Sequence, residues 1–132
     1  VPGLTNVAYV AAGKNHSLAV KSDGTVWVWG NNAKGQLGRA NMNFSNVPIQ
    51  VVGITNAVKA TGGDEHSLIF TADGKVYSFG GNDYGQLGNN TFVQSNVPRK
   101  IAVVQNVVDI TCGSFNSYAL RNDGTVWAWG LN

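Results

Sequence analysis

Gly13-Lys14-Asn15-His16-Ser17-Leu18, then Asp23-Gly24-Thr25-Val26-Trp27-Val28-Trp29-Gly30, then Gly35-Gln36-Leu37-Gly38, decide the fold because they return fifty residues later. The second copy reads Gly63-Asp64-Glu65-His66-Ser67-Leu68, Asp73-Gly74-Lys75-Val76-Tyr77-Ser78-Phe79-Gly80 and Gly85-Gln86-Leu87-Gly88. A third opens with Gly113-Ser114-Phe115-Asn116-Ser117 and runs through Asp123-Gly124-Thr125-Val126-Trp127-Ala128-Trp129-Gly130. Ser45-Asn46-Val47-Pro48 also recurs, as Ser95-Asn96-Val97-Pro98. Without a gap, residues 1–50 and 51–100 agree at 21 of 50 positions, so the unit length is fixed and the chain is an array of stacked repeats. The units are 1–50, 51–100 and a partial 101–132.

Within a unit the pattern is all-β. Val7 to Ala12, Ser17 to Lys21 and Thr25 to Gly30 read as three short strands, with Val47 to Val51 as a fourth or its lead-in. No segment carries a capped apolar period of 3.6. Asp-Gly between apolar runs predicts a tight hairpin with both turn positions at positive φ, which makes Asp23, Asp73 and Asp123 turn formers. The third strand sets its bulky rings on one face and small or β-branched residues on the other, as in Val26-Trp27-Val28-Trp29. Successive side chains point to opposite faces, so both faces are expected to be covered, the rings of one unit filling the compact side of the next. Four antiparallel strands of this length, stacked on both faces, are the blades of a β-propeller.

Several function classes are disfavoured by composition. Nine basic and seven acidic residues leave a net charge of +2, and the basic residues are dispersed apart from Arg99-Lys100, so no nucleic-acid footprint is expected. No stretch approaches the roughly 20 apolar residues of a membrane helix, so no membrane insertion is expected. The glycine-rich run from Gly30 to Gly38 lacks the Lys-Ser or Lys-Thr and the helix that a phosphate loop requires. No Ser-His-Asp spacing, metal cluster or carboxylate pair stands out, and no cofactor, metal or catalytic residue is implied. Cys112 aligns with Ala12 and Gly62 and reads as a small core thiol.

The combination Gly-x-x-His-Ser, Asp-Gly, Val-aromatic-x-Trp-Gly and Gly-Gln-Leu-Gly resembles the repeats of the regulator of chromosome condensation family. The resemblance covers the whole chain. It implies a β-propeller, usually of seven blades of about fifty residues, and binding in preference to catalysis. Members of that family bind very different partners; the founding type binds nucleosomes and a small GTPase whose nucleotide exchange it promotes. The third copy departs from the motif by carrying Asn116 in place of histidine. A His/His/Asn series fits a structural hydrogen bond better than metal ligation or acid–base chemistry.

Positions that vary on a fixed frame are where a repeat protein builds a binding face; drift on an exposed loop gives the same pattern. These positions are Lys14-Asn15, aligned with Asp64-Glu65 and Ser114-Phe115, and Lys34, aligned with Tyr84 beside Asp83. Two units and part of a third do not close a ring, since the third lacks its Gly-Gln-Leu-Gly loop and last strand. The expected partners are therefore another protein, further blades of a longer chain, or copies of this chain stacked head to tail. The leading function is a non-catalytic binding or scaffolding module. A self-assembling structural subunit and a piece of a nucleotide-exchange regulator are the alternatives. The start at Val1 points to processing or a longer parent, and the Asn-rich, low-charge composition leans towards a bacterial secreted or cell-surface protein.

Overall fold

The computed structural model describes all 132 residues and contains strands, turns and no helix. The first unit forms a sheet from β1 (Val7–Ala12), β2 (His16–Lys21), β3 (Val26–Asn31) and β4 (Phe44–Gln50), paired antiparallel in chain order. The second repeats it with β5 (Ala57–Gly62), β6 (His66–Thr71), β7 (Val76–Gly80) and β8 (Ser95–Lys100). The third contains β9 (Val107–Cys112), β10 (Asn116–Arg121) and β11 (Val126–Gly130), three strands without a fourth. These are blades 1, 2 and 3 of an open propeller arc.

The alternation on the third strands is used as expected, and the stacking has a direction. Val26 and Val28 are fully buried and join Leu18 and Leu37 of blade 1 against Ile54, Ala57, Ala60, Ile69 and Phe79 of the second unit. Val76 and Leu68 of blade 2 meet Val107, Ile110 and Ala119 of blade 3, with the Trp129 ring packed alongside. The compact side of each blade thus faces its successor, and the aromatic side faces its predecessor. The glycine closing Gly-Gln-Leu-Gly is the seat for the incoming ring. A Cβ at Gly38 would press on Phe79, and one at Gly88 on the Trp129 indole. Trp27 and Trp29 occupy the aromatic side of blade 1, where no predecessor stands, and are partly covered. Trp127 is 43% exposed.

Two local expectations differ from the structure. The Asp-Gly turns are not two-residue hairpins with both residues at positive φ; only the glycine has it (Gly24, φ 83°). Gly24 N donates to Lys21 O and Lys21 N to Thr25 O, a type I turn closed by a left-handed glycine. The aspartate selects that shape: Asp23 Oδ1 accepts from Thr25 N at 3.0 Å and from Thr25 Oγ1 at 2.6 Å. The fourth strand begins at Phe44 and not at Val47. Ser45 pairs with Gly30 and Ile49 with Val28, so Asn46, Val47 and Pro48 bulge opposite a single residue, Trp29. Ser45 Oγ holds the bulge by donating to Val47 O at 2.6 Å. Proline and a bulge on an outer strand also blunt it against pairing with other chains.

Candidate functional site

Several of the repeated residues fasten one blade to the next. His16 Nε2 lies 2.8 Å from Ser67 Oγ of blade 2, and Ser67 Oγ donates to Gln36 O of blade 1 at 2.8 Å. Since the hydroxyl hydrogen goes to the carbonyl, the imidazole is the donor at Nε2, which leaves Nδ1 as a buried acceptor without a partner. His66, Ser117 and Gln86 repeat the relay at 2.9 and 2.8 Å, and Trp129 Nε1 adds a bond to Gln86 O at 2.9 Å. Burial pushes both imidazoles down to about 4, with the neighbouring His16 a further cause at His66. Each ring is neutral at pH 7. Gly13 and Gly63 are glycine because a Cβ there would overlap the imidazole of their own unit. Asn116 meets no following blade, and its amide makes only a 3.4 Å bond to Leu131 O.

The nine candidate loop residues fall on one face, where β1 turns into β2 and β3 leaves towards β4, and their counterparts in the other blades do the same. The β1–β2 loops are tied from blade to blade through the backbone: Lys14 N donates to Gly63 O at 3.1 Å and Asp64 N to Ser114 O at 2.8 Å. Six of the nine engage one another through their side chains across junctions. Lys14 Nζ pairs with Asp64 at 3.2 Å and Lys34 Nζ with Asp83 at 3.0 Å. The Tyr84 and Phe115 rings stack at 5.1 Å, tilted by 53°. The Asp83 hydrogen bond raises the Lys34 pKa, and the Glu65 charge adds to that shift. Asn15 and Ser114 carry exposed side chains on the same face. Variation among copies is therefore partly compensated: a lysine in one blade meets an aspartate in the next, and a tyrosine meets a phenylalanine.

One column was missed by the sequence reading. Tyr9, Lys59 and Asp109 occupy the same position in successive units. Lys59 Nζ sits 5.8 Å from the Tyr9 ring and pairs with Asp109. Burial works against the Lys59 charge, but the Asp109 carboxylate outweighs it and the pKa rises; Asp109 falls through the same hydrogen bond. Opposite charges fifty residues apart were the available signal. Cys112 is partly covered beside the second core, and burial pushes its thiol up to about 12. No group of three His, Cys, Asp or Glu side chains is assembled to hold a metal.

Fold and junction chemistry together define a run of propeller blades joined by His-Ser-carbonyl relays. The family model described as "Regulator of chromosome condensation (RCC1) repeat" matches residues 23–70 and 73–120, and a second model of the same repeat matches 7–36 and 57–86. The chain belongs to this family. Protein pim1 of Schizosaccharomyces pombe is 46% identical over 41 residues, which is 31% of this chain and 8% of that protein. Human WBSCR16 superposes with a TM-score of 0.88 at 29% identity, covering 98% of this chain and 34% of that structure. Prp20p of Saccharomyces cerevisiae gives a TM-score of 0.85 at 28% identity, covering 97% and 34%. The chain thus spans about a third of these solved relatives. The Prp20p structure is described together with its binding to Gsp1p and histones, and another structure holds the same protein, yeast RCC1, bound to Kap60. Propellers of this family are typically non-catalytic binding or exchange-factor modules.

Proposed function

We propose that this chain supplies consecutive blades of a protein-binding propeller and that its partner meets the loop face. The observation that carries the reading is the division of labour within each unit. His16, Ser67 and Gln36 are spent on joining blades, whereas Lys14, Asn15, Lys34, Asp64, Glu65, Asp83, Tyr84, Ser114 and Phe115 form a varied surface, exposed or half-buried, on a backbone-tied row. The protein partners of Prp20p support the same class of function. A photo-crosslinking residue at Asn15 or Tyr84, with another at Asn122 on the opposite face, tests it against a Gsp1p-type GTPase, core histones and a Kap60-type adaptor. Adducts from the loop-face positions alone are expected; adducts from Asn122 equally, or none at all, would sink the reading. Faster nucleotide release from the GTPase would favour the exchange-regulator alternative.

The end faces favour a second reading, head-to-tail association. Val126 is 63% exposed where Val26 and Val76 are fully buried, and it stands beside Leu120 and Ala128 on the compact side of blade 3. The opposite end offers Trp27, Trp29 and Ser17. These are the two halves of the contact already made twice within the chain. Native mass spectrometry decides it: a concentration-dependent oligomer supports the reading, and a monomer at all concentrations removes it.

A further inference from the structure

The charges of the molecule do not cancel evenly over its surface. Six ion pairs neutralise six of the nine cations and six of the seven carboxylates: Lys14–Asp64, Lys21–Asp23, Lys34–Asp83, Lys59–Asp109, Lys75–Asp73 and Arg121–Asp123. What remains is Arg39, Arg99 and Lys100 against Glu65 alone, three minus one, which is the whole net charge of +2. Glu65 belongs to the loop face. Arg99 and Lys100 lie on outer strand β8, and Arg39 lies in the loop that leads from Lys34 of the loop face to outer strand β4.

These cations line two adjoining clefts. Arg39 borders one of about 250 Å³ with Asn41, Asn43, Gln94 and Asn96. Arg99 and Lys100 border another of about 330 Å³ with Thr91, Val93 and the shared Gln94. The Arg39 guanidinium spends Nη2 on Gln50 O at 3.0 Å and its Nε is buried without a partner, so Nη1 is the nitrogen left for a ligand. Apolar side chains stand around the clefts in the open: Phe92 at 73% exposure, Val93 at 70% and Met42 at 37%. Asp73, one cleft away beside Lys100, is held by Lys75 at 2.8 Å and does not neutralise the rim.

We propose that this rim, centred on Arg99 and Lys100 and adjoining the loop face at Arg39, is a second docking surface for an acidic peptide segment of a protein partner that also carries apolar side chains. Carboxylates would meet Arg39, Arg99 and Lys100, side-chain amides would take main-chain polar groups, and apolar residues would cover Val93 and Met42. Arginine suits the task because its planar fork pairs with carboxylates in two-point geometry. Recognition runs through side chains and not by strand addition. Pro98 has no N–H to offer, and Ser95 Oγ already engages Val97 O at 2.7 Å. Nucleic acid is the poorer fit. Three cations release few counterions, and one exposed ring, Phe92, does not make the row of aromatics on which successive bases stack.

Fluorescence anisotropy on the whole chain tests the proposal with three labelled probes. They are a short peptide alternating Glu and Asp with Leu and Phe, its Gln/Asn analogue, and a single-stranded oligonucleotide of similar length. The acidic peptide is expected to bind, with salt-sensitive affinity, and the neutral analogue not to bind. The double variant Arg99→Gln/Lys100→Gln should weaken binding by at least about tenfold. Lys21→Gln/Lys59→Gln removes the same charge from paired sites away from the rim and should change it by less than about twofold. Tyr84→Ala on the loop face should leave it unchanged, so failure here is separable from failure of the loop-face reading. Equal losses in the two double variants, no binding of the acidic peptide, or tighter binding of the oligonucleotide would each overturn the proposal. Arg99 and Lys100 are exposed, so the variants should fold, and the single substitutions stand in for the double if it does not.

Discussion

Blade 2 and blade 3 present the same residues to opposite fates. Val76 is fully buried and Val126 is 63% exposed, though both follow the same Asp-Gly turn and open the same strand. His66 is sealed in a relay with Ser117, whereas Asn116, its counterpart, reaches only a carbonyl of its own blade. The difference lies in the neighbour: burial in this architecture belongs to a pair of blades, and a repeat alone does not determine it. Stability should therefore depend more on junctions than on blades, as in other quasi-one-dimensional proteins.

Acid should break the junctions most broadly. His16 and His66 are held near 4 in the folded state against 6.5 when exposed. The unfolded chain takes up more protons between those values, so stability is complete above pH 6.5 and is lost as pH falls towards 4. The loss reaches about 3 kcal/mol per histidine at full extent. Chemical denaturation at stepped pH checks this, and His16→Asn with His66→Asn, copying Asn116, should flatten the profile. Next in size, Phe79→Ala empties the seat on Gly38 and should cost about 3–5 kcal/mol. Trp29→Ala at the uncovered face should cost distinctly less in the same denaturation series. Ser67→Ala leaves the His16 donor and the Gln36 carbonyl unpaired and should cost about 1–3 kcal/mol; Ser17→Ala, with no predecessor to serve, should stay within about 0.5 kcal/mol. Val76→Ala against Val126→Ala sharpens the contrast with one chemistry, about 1.5–3 kcal/mol against almost nothing. Smallest, Lys14→Ala should change stability by no more than about 1 kcal/mol, because its pair with Asp64 is largely exposed. Thermal unfolding at low and high salt would show it.

The repeat, the strand count and the two-sided third strand were legible because each is a local pattern multiplied by three. The His16, His66, Asn116 series pointed to a structural hydrogen bond, and the relay supplies it at the two histidines. The Asp-Gly turns were misread because the dipeptide fits two loop geometries, and the same shape forms whether Asp23 is held by Thr25 or Asp73 by Thr71 and Lys75. The start of β4 was hidden by Pro48, which looks like a strand boundary and sits instead in a bulge clasped by Ser45. The candidate loops were found as positions, but not as partners. Lys14 with Asp64 and Tyr84 with Phe115 pair only once blades are stacked, and no local window contains both members. Arg39 gave no local signal at all, because its standing rests on which other cations are neutralised across the whole surface.

The relays also give the arc a sense of travel. Each serine reaches backwards, closing a latch whose other two members were laid down some thirty to fifty residues before it. As the polypeptide leaves the ribosome amino end first, Ser67 arrives to secure a histidine and a carbonyl already in place, and Ser117 then does the same for the next. Each latch is therefore complete only once the following blade is present, and the last blade of any run is the one left unfastened.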